Sequence, residues 1–108
     1  MIPKEKLAEI TAELKRKHGD DLHLLTASEE QVIARTPSQA EYQRYLDHVN
    51  EKTKRTHAHE NLTRSCVVYP DHAELDALLE RKPGLMTTFG DKLTELAGSV
   101  DACEAKKL

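Results

Sequence analysis

Between Asn50 and Asn61 the chain reads NEKTKRTHAHEN, a stretch without one large aliphatic side chain. Before it, Tyr42, Tyr45, Leu46 and Val49 mark the apolar face of a helix; after it, Leu62, Cys66 and Tyr69 resume a helical spacing. The step from Val49 to Leu62 turns the second face by about 220° at 100° per residue. The segment must therefore break in the polar stretch or offer its two ends to different neighbours. No Gly or Pro interrupts it and its residues are acceptable helix formers, so one helix with two differently directed faces is the preferred reading.

The rest of the chain falls into short elements. Pro3 suits a first helical turn, Leu7, Ile10 and Leu14 recur at i, i+3 and i+7, and Gly19 follows as a stop, which predicts a helix over 3–18. Runs from Leu22 to Thr26 and from Gln31 to Arg35 flank the loop Ser28-Glu29-Glu30 in the manner of a β-hairpin, although the loop lacks Gly or Asn. A second helix starts either with Pro37 at its first position after Thr36 or with a capping box of Ser38 and Glu41. Pro70-Asp71 ends the apolar stretch that resumes at Leu62, and Asp71 with Glu74 caps a short helix carrying Leu75, Leu78 and Leu79. Pro83 opens a last helix in which Leu85, Phe89, Leu93, Leu96 and Val100 step by four, four, three and four, with Gly90 in its interior and Gly98 as its stop. Together these give an α+β domain, mostly α-helical, with one N-terminal β-hairpin at about 22–35 inserted between helix 1 and helix 2. A single helical domain over 1–98 and a weakly ordered tail over 99–108 are expected.

Little apolar material is available to seal these helices. Leu, Ile, Val and Phe number 23 of 108 residues, aromatic side chains make up 4%, and Trp is absent. A thin core follows, and self-association or a partner is expected to cover what it leaves over. With 16 basic and 19 acidic side chains and a net charge of -3, the whole chain has no attraction for a polyanion, and the Lys52, Lys54, Arg55 cluster has no interleaved aromatic to stack on bases. Nucleic acid is thus not the expected partner. Neither a signal-peptide run nor a membrane-spanning apolar run is present, so a cytoplasmic protein without membrane contact is expected.

Reactive chemistry is equally sparse. His57 and His59 are two apart and diverge by about 200° on a helix, and position 63 is Thr where HExxH needs His, so no metal site is expected. The four glycines are scattered, which leaves no phosphate-cradling loop and no cofactor. Cys66 precedes Val67-Val68 in an apolar stretch where thiols are inert, and Cys103 stands apart from it, so both read as free thiols. No nucleophile, base and orienting group occur at a recognisable spacing, and the expectation is a protein that is not an enzyme and has no catalytic residue.

Several segments read together carry a resemblance: Arg35-Thr36-Pro37-Ser38 with Glu41-Tyr42, Leu62, Cys66-Val67-Val68-Tyr69-Pro70-Asp71, Leu75 with Leu78-Leu79, Pro83-Gly84-Leu85, Lys92-Leu93 and Leu96-Ala97-Gly98. Over about residues 20–98 the chain resembles the small tail assembly chaperones of tailed bacteriophages and prophages. These residues are capping, turn and core positions rather than catalytic ones. The resemblance implies a protein that coats the long, helix-rich tape measure protein in the host cytoplasm until the tail tube closes around it. It also implies a longer frameshifted form that recruits tail tube protein, and Lys106-Lys107 is compatible with a slippery codon run.

Occupying apolar helix faces of a client lowers the population free to aggregate. From periodicity alone, the expected protein-binding groove for a client helix is lined by Leu75, Leu78, Leu79, Phe89, Leu93 and Leu96. The rival readings are a structural tail or neck component that stays in the phage particle, and a small DNA-binding regulator that would use the Lys52 to Arg55 cluster.

Overall fold

The structure, a computed structural model, describes residues 2–99 and 103–108. Helix α1 covers Lys4–His18, and it is followed by the strands β1 (His23–Ala27) and β2 (Glu30–Ala34). Helix α2 (Gln39–Asn50), a 3₁₀ turn (Arg55–His57), helix α3 (Ala58–Cys66) and strand β3 (Val67–Tyr69) come next. Helices α4 (His72–Arg81) and α5 (Leu85–Leu96) complete the order. The fold is α+β with the hairpin between α1 and α2, as its sequence pattern implies.

Helix α1 stops at Gly19, whose N–H still reaches the Lys15 carbonyl at 2.9 Å and whose φ of 84° turns the chain out of the helix, while Lys15, Arg16 and Lys17 place positive charge against the last carbonyls. The hairpin loop is one residue shorter than expected: Glu30 pairs with Ala27, leaving Ser28 and Glu29 as the turn. Both have positive φ, 52° and 64°, the backbone that a right-twisted two-residue hairpin demands and that normally selects Asn or Gly. Lys82 Nζ donates to the Ser28 carbonyl at 2.7 Å and lies 3.4 Å from Glu30, so the end of α4 holds this turn.

Of the two possible starts for α2, the structure takes the capping box: Ser38 Oγ accepts from the Glu41 N–H, and the Glu41 carboxylate accepts from the Ser38 N–H at 2.9 Å. The expected continuous helix through 50–61 does not form. Helix α2 ends at Asn50, and the Arg55 side chain donates to the Val49 carbonyl at 2.8 Å. The polar stretch has no face to bury, and breaking there lets α3 fold back along α2 and turn Leu62 and Cys66 into the core. The stretch from Leu62 to Tyr69 is likewise not one helix: Val67–Tyr69 leaves α3 to pair antiparallel with β2, as befits β-branched and aromatic residues beside a strand with an open edge.

The sheet order is β1-β2-β3. Its inner face supplies Leu25, Val32, Ala34 and Val67 to a core completed by Leu62 and Cys66 of α3, Leu75, Leu78 and Leu79 of α4, and Leu85, Phe89 and Leu93 of α5. Each large side chain buried there contributes about 2 kcal/mol. Helices α3 and α5 meet closely at Gly90, where a Cβ would sit 2.8 Å from the Cβ of His59. The tail residues 103–108 carry no regular structure and are exposed; Val100, expected to extend the α5 stripe, lies outside the described residues.

Candidate protein-binding surfaces

The six residues expected to line a client groove do come together, but as core. Leu75, Leu78, Leu79, Phe89 and Leu93 are each 5% exposed or less, and Leu96 packs partly against them. They face the sheet and one another, so the groove read from their spacing is filled by the chain itself. The physical reason is the hairpin: its inner face, with β3, provides the apolar partner that helix periodicity alone could not count.

What remains uncovered lies on the other side of the sheet. Ile33 alternates with Val32 and Ala34 and so points away from the core, yet it is only 3% exposed. The two ends of α1 reach the two ends of β2. The Ile2 N–H donates to Gln31 Oε1 at 2.8 Å at one end of β2, and His18 shares a cleft with Arg35 at the other. Helix α1 thus runs along β2 with Leu7, Ile10 and Leu14 half-buried and none of its residues fully buried. It is a lightly seated amphipathic helix on an apolar sheet face.

Beside it the edge of β1 is open. The two-residue turn makes Ala27–Glu30 a hydrogen-bonded pair, so Leu25–Val32 and His23–Ala34 bond as well, and the backbone groups of Leu24 and Thr26 point outward. Leu24 is 43% exposed, and a cleft of about 360 Å³ opens between β1 and Phe89, Thr88 and Lys92 of α5.

A larger cleft of about 730 Å³ sits where α2, α3 and the start of α4 converge. Arg44 and His48 face it from one side of α2, Asn61 and Arg64 from one side of α3, His72 from the first turn of α4, and His18 from the end of α1. Arg35 closes it, donating twice to the Glu41 carboxylate at 2.6 Å and once to the Ser65 carbonyl at 2.9 Å. This fork holds the Glu41 carboxyl down to about 2, helped by Ser38, against burial that pushes it up. Arg64 is held by Asp76 and by Glu60, whereas Arg44 has no ion-pair partner among the described residues. The cleft escaped the sequence reading because its polar groups come from four helices and the end of β2; only the Arg44, His48 and Asn61, Arg64 spacings are local.

The other candidates are accounted for by neighbours. His59 lies 2.9 Å from Asp91 and 3.2 Å from the Tyr45 hydroxyl, while exposed His57 lies 3.5 Å from Glu60. Among the described residues no cluster of His, Cys, Asp and Glu could hold a metal ion. Burial pushes the Cys66 thiol up to about 12, with the Glu41 carboxylate adding to it, so Cys66 is a buried, protonated thiol near neutral pH; Cys103 is exposed in the tail. Lys54 pairs with Glu51, and Arg55 is engaged with the α2 end. No described helix is long and apolar enough to cross a membrane.

Fold and surfaces together define a small α+β module whose accessible features are a loosely covered sheet face, an open strand edge and a basic cleft. The chain belongs to the family described as a domain of unknown function (DUF6848), whose model matches residues 4–106. It is similar to the solved structure of the uncharacterised protein rbstp2171 from Bacillus stearothermophilus, with 30% identity over 89% of this chain and 99% of that one and a TM-score of 0.73. A search of curated proteins finds no match.

Proposed function

We propose that this protein is a non-enzymatic assembly chaperone that binds amphipathic helical segments of a client, as the resemblance to phage tail assembly chaperones implies, with the tape measure protein as that client. The observation that supports the reading is α1: an amphipathic helix whose ends reach the two ends of β2, on either side of the buried outer-face Ile33, yet none of its residues is fully buried. A client helix with the same apolar spacing as Leu7, Ile10 and Leu14 can take that place, which is helix-in-groove recognition with the chain's own helix as placeholder. The binding surface is then the face around Ile33 rather than the buried set from Leu75 to Leu96. In this reading the chain works in the host cytoplasm during tail assembly, copies associate through the free β1 edge, and a longer frameshifted form brings in tail tube protein.

The test uses Ile10→Glu, which puts a charge in the stripe that seats α1 and leaves the core untouched. A fluorescent amphipathic helical peptide from a tape measure protein should bind the wild-type chain, and bind the variant about tenfold more tightly because the competing helix is released. Absence of saturable binding to both proteins, or identical affinity for both, overturns the proposal.

A further inference from the structure

The cleft between α2, α3 and the start of α4 touches the client-binding reading only at His18, the last residue of α1, and its lining is chemically one-sided. Around about 730 Å³ stand three arginines and three histidines, and the carboxylate that lines it, Asp71, is already engaged as an acceptor from the Glu74 N–H at 2.9 Å. Arg35 and Arg64 are spoken for by Glu41, Asp76 and Glu60. That leaves the guanidinium of Arg44 as the cation aimed at the cleft without a carboxylate among the described residues, with His48 one helical turn away on the same face.

Among the described residues the His48 ring meets only the Asn61 amide, at 3.5 Å, and His18 and His72 complete the rim. A planar guanidinium flanked by imidazoles suits an oxyanion with several oxygens to share. The lining also has an apolar part: Val68 and Pro70 form a surface on which a flat or hydrophobic group can rest. The volume is that of a site for a small organic molecule rather than for a bare ion.

We propose that this cleft binds a small organic phosphate, its phosphate between Arg44 and His48 and its organic part against Val68 and Pro70. The site meets the client surface only through His18 at the end of α1, and its anchors Arg44 and His48 stand whether or not the chaperone reading does. Isothermal titration of the full chain at fixed ionic strength tests it with three probes: adenosine 5′-monophosphate, inorganic phosphate and adenosine. The monophosphate should bind saturably and about tenfold more tightly than inorganic phosphate, with adenosine weaker than either. Arg44→Gln, a substitution at an exposed helix position, should weaken the monophosphate about tenfold, and Lys6→Gln on the solvated side of α1 should leave it unchanged. No saturable heat with the monophosphate, inorganic phosphate binding as tightly as the ester, or equal effects of the two substitutions would each overturn the assignment.

Discussion

Arg35 and Glu41 join three parts of the chain: the end of β2, the first turn of α2 and, through the Ser65 carbonyl, the last turn of α3. Glu41→Gln keeps the shape but removes the charge, and should cost about 2 kcal/mol near neutral pH in urea unfolding. The pH dependence has a definite sign. The carboxyl titrates at about 2 when folded against an ordinary 4.5, so its stabilisation is fully present above the ordinary value and is lost as pH falls from there toward 2. The gap between wild type and variant should therefore shrink by about pH 3; a gap unchanged by acid would show that the carboxylate is not what binds these segments. Single residues were legible in the sequence where their partners lie within a turn. Asp71 accepting from the Glu74 N–H and Ser38 from the Glu41 N–H are i, i+3 contacts and could be read directly. Gly90 could not, because the His59 side chain that demands it belongs to another helix.

At the scale of elements, the hairpin was legible from its two alternating runs, while its turn was misjudged because Ser28 and Glu29 are poor residues for the backbone they adopt. Replacing them with Asn and Gly should stabilise the protein by about 1 kcal/mol and raise its melting temperature by roughly 4–8 °C. An unchanged or lowered melting temperature in a calorimetric scan would show that the left-handed pair carries no strain. The helix boundaries at Asn50 and Cys66 were hidden for another reason. Neither carries a Gly or Pro; both are set by what the following segment can bury, α3 against α2 and α5, and β3 against β2. Such ends are decided by tertiary packing rather than by local preference.

For the molecule as a whole, the shortage of apolar residues pointed to uncovered surface, and it located that surface wrongly. The stripe from Leu75 to Leu93 is sealed, and Leu24 and Leu108 are the exposed large hydrophobics among the described residues. The deficit appears instead in α1, none of whose residues is fully buried. Stability should therefore be graded: amides of α1 should exchange with solvent at least about tenfold faster, relative to their intrinsic rates, than those of α3 and α5. Uniform protection in native-state hydrogen exchange would mean that α1 opens only with the rest of the fold, and the placeholder reading would fail with it. Sequence periodicity shows that a face is apolar; which of several apolar faces meets another depends on topology, and here the inner sheet face claimed the helices α3 to α5.

The contact at Gly90 also acts as an index mark. Sliding α5 by one turn along α3 would bring Met86 or Thr94 to the place where no side chain fits beside His59. Helices α3 and α5 are thus locked in one alignment by the absence of an atom, much as a notch admits a key at a single depth.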